Sequence, residues 1–402
     1  MTGALDGLRV LDLSRQAPGP FCSMLLADLG ADVLMVEVPR GVVARFDRMA
    51  DAAATPDADG EAERRRALNP LRRNKRSIAI NLREEAGRDL FYRLVTDADV
   101  VLDGFRPGVT ARLGIDYEVL SRINERVITC SITGFGQTGD LRDLGGHDIN
   151  YIAIGGALSA IGTADGQLAI PLNLIADFAG GGMLAASAIL AAVYSRDRTG
   201  RGQAIDLGMS DGALYLMASA VGGMLQSGSP PLPGRGMLGG SAPYYSVYTC
   251  ADGRAVAVGA IEPQFYEGLC RGLGLERYAP HQHAAAMHPE IREAFAAAFR
   301  TRPRDEWFER LRPLDACVTP VLDLAEAFAF PHTAEARGMR AEVQDANVGT
   351  VAQVGFAPKL SATPGTVRSI GPDAGAHTGE VLAGLGLDAA RVAELRAAGV
   401  VA

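Results

Sequence analysis

The sequence predicts an α/β fold in which a mostly parallel sheet is joined to a smaller α+β domain. Three features of the 402-residue chain carry that expectation. Apolar runs of strand length alternate with stretches of helical length through the first half. A Gly-, Pro- and Ser-rich segment at 227–242 then interrupts the pattern. Beyond it, Asp252-Gly253 sits between two β-branched and aromatic runs, which is a hairpin signal. A chain of this length exceeds one simple core, so about two domains are expected.

The first strand is LRVLDL at 8–13. It leads through QAPGP into a helix from Phe21 to Leu29, and ADVLMVEV follows as the next strand, giving a βαβ unit. Pro20 suits a first helical turn and Gly30 a C-terminal cap. The glycine spacing does not match GxGxxG, which argues against a nicotinamide dinucleotide site. Residues 41–68 are polar, rich in Ala and Asp and poorly periodic, and read as a long surface excursion. A basic segment follows, with Arg64, Arg65, Arg66, Arg72, Arg73, Lys75 and Arg76. It reads either as a solvated loop or as a rim that binds phosphate through bidentate arginines.

The alternation continues with strand SIAINL, a helix over Glu84 to Thr96, strand DVVLDGF, the turn RPG, a helix through Leu120 to Ile123, and strand VITCSITGF. Right-handed crossovers of this kind build a parallel sheet with helices on both faces. Ligands of such sheets sit beyond the C-terminal strand ends. Phe105-Arg106-Pro107-Gly108 and Gly134-Phe135-Gly136 fall there.

From Gly145 to Gly182 the chain places His147 and Asp177 among glycines and apolar residues, where pKa values shift and proton chemistry becomes plausible. Each also has a plain structural reading. A histidine in an apolar stretch is often a satisfied core residue, and Asp177 before GGG suits a helix end or cap. An apolar helix from about Gly181 to Ser195 is short for a membrane span and reads as buried. Strand GQAIDLGM and a helix over Asp211 to Leu225 precede the linker.

After the hairpin, helices are expected at 264–273, 289–301 and 304–313, with a strand at VTPVLDL. Strands and helices from Arg340 onward return to the first domain. The expected boundaries are 1–200 for the first part of the large domain, 201–242 for helix and linker, 243–330 for the small domain, and 331–402 for the return.

A net charge of −8 argues against a general nucleic-acid binder and leaves room for a local basic site. Five scattered cysteines without a CxxC pair point to reduced thiols and a cytoplasmic location. The N-terminal MTGALDGLRVLDLS has no secretory pattern. His281 and His283 alone are too few for a metal site.

The segments LADLGADVLMVEVPRG, NKRSIAINL, GFRPGVTARLGID, TGFGQTG, GGHDINY, NLIADFAGGG, GRGQAIDLGMSDG and AIEPQFYEGL resemble, in order and nearly end to end, the family III CoA-transferases (CaiB/BaiF type), and within them the α-methylacyl-CoA racemase branch. The resemblance implies a Rossmann-like large domain, a small domain from the middle of the chain, and an interlocked homodimer. It implies acyl-CoA thioester substrates, no further cofactor and no metal. Residue by residue, it makes His147 and Asp177 an acid/base pair, with Glu262 an orienting carboxylate across the subunit interface. Asp148 and Tyr151 would lie near the thioester, and Arg106 would contact CoA phosphate, with Arg76 in the basic rim. Val38 stands where the family commonly has an arginine, and Arg40 would replace it. Gln16 stands where racemases tend to carry an apolar residue. Relatives that transfer CoA use an aspartate at the Asp177 position as nucleophile, so Asp177 fits either chemistry and His147 favours racemisation.

Overall fold

The computed structural model describes residues 3–39 and 61–402. Arg40 and positions 41–60 of the expected excursion lie outside the described residues. Positions 61–68, expected as part of that excursion, instead form a helix, α2 (Glu61–Leu68). The EAERRRAL composition is built of good helix formers, and Glu63 pairs with Arg66 one turn on.

Six strands form one parallel sheet: β1 (Arg9–Asp12), β2 (Asp32–Glu37), β3 (Arg76–Ala79), β4 (Val100–Asp103), β5 (Ile128–Thr133) and β6 (Ala204–Gly208). Their spatial order is β3-β2-β1-β4-β5-β6, with Val10 opposite Val33 on one side and Val100 on the other. The strands read as continuous apolar runs because helices cover both faces. The chain works outward from β1 to β3, then crosses back to β4. That reversal opens a crevice between β1 and β4 at their C-terminal ends.

Helix α1 (Pro18–Asp28) begins three residues before the expected Phe21, since Pro18 and Pro20 both fall in a first turn that needs no N–H from them. Gly30 follows it at φ +109, packed against the Cα of Gly3. The other helices of this region are α3 (Glu85–Val95), α4 (Val109–Leu113), α5 (Tyr117–Ile123) and α6 (Asp148–Ile154).

After a short helix, α7 (Ala157–Ala160), the chain enters α8 (Leu174–Thr199), whose first ten residues, Leu174–Met183, are π-helical. The glycines at 180–182 do not end this helix. It starts seven residues before the expected Gly181 and runs through them. By length and composition α8 is able to cross a membrane, and its buried residues include Ala176, Ala185, Ile189 and Ala192. The helix expected over 211–225 is two, α9 (Met209–Leu216) and α10 (Ala218–Ser227), with Met217 off helical geometry at φ −86, ψ 9.

The chain divides into two compact units. The first comprises Met1–Gly155, Leu172–Leu216 and Phe328–Ala402; the second comprises Gly156–Pro171 and Met217–Ala327. In the second, β7 (Tyr245–Thr249) and β8 (Ala255–Gly259) form an antiparallel hairpin extended by β9 (Val318–Pro320). Helices α11 (Pro263–Leu273), α12 (His288–Phe299) and α13 (Arg304–Leu311) close over an aromatic core of Tyr248, Tyr266, Phe295, Phe299 and Trp307.

Within the first unit, the segment after α14 (Leu324–Ala329) forms the hairpin β10 (Arg340–Asp345) and β11 (Gly349–Val354), then α15 (Thr378–Gly384) and α16 (Ala389–Ala397). Its end lies against β3, where Val401 bridges Ile80 and the Thr378 hydroxyl accepts the Ala79 N–H. A buried pair anchors the hairpin side. Arg73, 1% exposed, donates to both carboxylate oxygens of Asp28 and to the Val354 carbonyl. Arg73→Met leaves Asp28 charged and buried without its partner. It should lower stability by about 3–5 kcal/mol, seen as a lower urea midpoint.

Candidate active site

The C-terminal ends of β1 to β5 surround a cleft of about 1140 Å³. Ser14, Glu37, Ile80, Gly104 and Ile132 mark those five strand ends in its wall. All of its lining comes from the first unit. The turns carrying Phe105, Arg106 and Gly134 open onto it, as parallel-sheet topology predicted.

His147 and Asp177 both line this cleft. His147 precedes α6; its backbone N–H donates to Asn150 Oδ1 at 3.1 Å and its side chain is exposed. Asp177 lies in the first turn of α8, half-buried, and its Oδ2 accepts from the Asn173 amide at 3.1 Å. Burial is the largest influence on the Asp177 carboxyl, whose pKa is raised. The Asn173 hydrogen bond opposes this, the negative charge of Asp148 reinforces it, and His147 pulls the other way.

Tyr151 also lines the cleft, and its hydroxyl donates to the Gly146 carbonyl. Its ring fills the room left by two glycines: a Cβ on Gly134 would stand 2.5 Å from it, and one on Gly146 2.8 Å. Phe135 meets the same ring edge-on at 5.2 Å. Gly134 of TGFGQTG and Gly146 of GGHDINY therefore serve this one aromatic side chain. Burial, then the nearby Asp177 charge, raise the Tyr151 pKa, while Arg106 acts in the opposite sense. Arg106 itself is an exposed residue of the cleft wall, beside Gly145.

Two of the expected residues have side chains that stand away from the cleft lining. The Asp148 side chain does not reach the cleft; it is 3% exposed and accepts the backbone N–H groups of Ala176 and Asp177. Arg76 opens β3, at the end of the strand opposite the cleft, and pairs there with Asp32 at 2.7 Å and Glu380 at 3.1 Å. The rest of the basic segment is largely consumed the same way. Arg66 pairs with Asp373, Arg72 with Glu37, Arg73 with Asp28 and Lys75 with Asp12.

The arginines that do line the cleft, besides Arg106, are Arg15, Arg83, Arg112 and Arg142, which the sequence reading did not single out. For Arg15 and Arg83 the signal was present, since each lies a few residues beyond a strand. Gln16 and Val38 are in the wall as well. Glu262 belongs to the second unit, where it is exposed and precedes α11.

A parallel sheet with a basic cleft at its switch point, holding a histidine and a carboxylate, agrees with what the comparisons show. The model of CoA-transferase family III matches residues 5–378. The chain belongs to CoA-transferase family III. A human (Homo sapiens) α-methylacyl-CoA racemase is 40% identical over 397 residues, covering 98% of this chain and 96% of that protein. A succinate–glutarate CoA-transferase from Agrobacterium fabrum is 34% identical over 397 residues, covering 95% of each. Among solved structures, a CaiB/BaiF family protein from Brucella suis superposes with a TM-score of 0.80 at 29% identity, covering 96% of this chain and 100% of that one.

In this family III enzyme one buried carboxylate shapes the cleft from behind. Asp103 ends β4, and burial pushes its pKa up to about 6 against hydrogen bonds from the Ser131 hydroxyl and the Phe105 N–H. Those bonds hold the turn that carries Phe105 and Arg106. Because its folded pKa is above the unfolded value, Asp103 costs stability as pH rises through 4 to 6, with a full penalty of roughly 3 kcal/mol above that range. Asp103→Asn should therefore be more stable than the parent at pH 7.5 and show little difference near pH 4, in urea titrations at the two pH values.

Proposed function

We propose that the enzyme racemises the α-carbon of 2-methyl-branched acyl-CoA thioesters by 1,1-proton transfer through an enolate. The observation that carries this reading is that His147 and Asp177 line one cleft at the C-terminal ends of the sheet. One group takes the α-proton while the C–H electron pair moves into the thioester carbonyl. The other returns a proton to the opposite face, and the C=O re-forms. Imidazole is a side chain able both to take and to give a proton, and burial raises the pKa of the Asp177 carboxyl.

The backbone N–H of Asp148, at the start of α6, suits the developing oxyanion, because it needs no reorganisation. Arg83, Arg106 and Arg112, with Arg40, suit the CoA phosphates. In this reading the enzyme is a cytoplasmic, interlocked homodimer, in which Glu262 of the second copy orients His147. CoA is part of the substrate and no further cofactor takes part. The 40% identity to the human racemase across 98% of the chain supports it.

A second reading has support in the CoA-transferase relative at 34% identity. There the Asp177 carboxylate attacks the thioester carbonyl, CoA thiolate leaves, and an acyl anhydride forms. The thiolate then attacks the aspartyl carbonyl, releasing the first acid and leaving an aspartyl-CoA thioester for the acceptor.

Incubation in deuterated water separates the two. Racemisation introduces deuterium at the α-carbon with loss of chirality in the absence of any acceptor acid. Movement of CoA to a second carboxylic acid without α-exchange would reject it. His147→Ala should slow α-exchange by about 10²–10⁴-fold. Full activity in that variant, with an Asp177 acyl adduct trapped by hydroxylamine, would establish the transferase instead.

A further inference from the structure

His147 and Asp177 of the cleft are linked by a third residue that lies outside its lining. Asp148 follows His147 directly in the chain and is the first residue of α6. Its Oδ2 accepts the backbone N–H of Ala176 at 2.7 Å and that of Asp177 itself at 2.8 Å. These donors belong to the first turn of α8, where N–H groups have no partner within the helix. Asn173, at the N-cap position, makes no side-chain cap. The cap comes instead from a different helix, and from the residue beside His147.

The other carboxylate oxygen is unusual. Asp148 Oδ1 is buried and accepts no hydrogen bond. An asparagine would supply the one acceptor oxygen that the cap uses, without the cost of a buried, unsatisfied ionised group. Relative to asparagine, the aspartate adds a negative charge beside Asp177.

We propose that Asp148 is a positioning residue that straps the start of α8 to the start of α6 and so fixes where Asp177 stands relative to His147. The inference rests on the proton-transfer reading of the site. Its charge has a second effect, since a fixed anion next to Asp177 disfavours the ionised carboxylate. The groups facing Asp177 are His147, Asp148 and Tyr151 from α6 and Asn173 from its own segment. On the other elements packed against α8, Asp28 of α1 is bound to Arg73, and Asp211 of α9 lies against Gly208.

Two variants of the full-length protein test the strap. Asp148→Ala removes the acceptor and should lower kcat for α-deuterium exchange by about 10²-fold, with KM changed little. Asp148→Asn keeps the acceptor and removes the charge. It should recover most of kcat, while the acidic limb of kcat/KM moves to lower pH. The titration of Asp177, followed by carboxyl ¹³C NMR and assigned with Asp177→Asn, should move the same way.

An unchanged kcat in Asp148→Ala overturns the proposal. So does an Asp148→Asn variant whose acidic limb and Asp177 titration both coincide with the parent, even if its melting temperature falls, because a plain helix cap would do only that. If Asp148→Ala does not fold, the Asp148→Asn titration decides. If the parent enzyme shows no α-exchange, the racemase reading fails, and the NMR titration still tests the strap without it.

Discussion

The close approach of α8 to α1 and α9 is the contact on which the site depends. Gly180 sits so near Gly212 that a Cβ on Gly212 would stand 2.1 Å from the Gly180 carbonyl oxygen. A Cβ on Gly182 would stand 2.8 Å from the Phe21 ring and the Pro18 carbonyl oxygen of α1, and one on Gly181 3.2 Å from the Pro18 side chain. Glycine within a helix costs about 1 kcal/mol relative to alanine. Three in succession are retained because no side chain fits between these backbones. Asp177 stands about one turn before them. Bringing α8 down onto the N-terminal end of α1 therefore carries that carboxylate to the strand ends where the sheet order reverses.

Small residues perform the same service elsewhere around the cleft. Gly155 lets the end of α6 rest on α9, where a Cβ would come within 2.7 Å of the Ser210 carbonyl oxygen. Gly134 and Gly146 leave a slot for the Tyr151 ring. In each case the glycine matters for what passes over it. The large side chains so admitted, together with the Asp148 cap, leave α6 little freedom to shift against α8.

Charge is arranged on a similar plan. The protein is acidic overall, and Arg66, Arg72, Arg73, Lys75 and Arg76 of the basic run are paired with Asp12, Asp28, Asp32, Glu37, Asp373 and Glu380. Two of these pairs, Arg73–Asp28 and Lys75–Asp12, are fully desolvated, and removal of one partner of either leaves a buried charge behind. Among the described residues, the arginines that line the cleft follow β1 (Arg15), β3 (Arg83), β4 (Arg106 and Arg112) and β5 (Arg142). This distribution fits the acyl-CoA chemistry of family III, whose substrates carry several phosphate charges.

By itself the sequence determined the parallel sheet, because strand–helix alternation and continuous apolar strands are local properties. It also determined the place of ligand binding, because the C-terminal strand ends follow from that alternation. His147, Asp177, Tyr151 and Arg106 were legible through their motifs and do line one cleft. The side-chain partners of Arg76 and Asp148 were not legible, for one shared reason. Their partners, Asp32 and Glu380 in one case and the N–H groups of Ala176 and Asp177 in the other, are distant in the chain. Whether a charged side chain faces a ligand or another part of the protein is decided by what packs against it, and only the tertiary structure holds that information. The glycines at 180–182 make the same point: locally they read as a helix end, and the close contact that lets the helix continue through them appears only once α1 and α9 are in place.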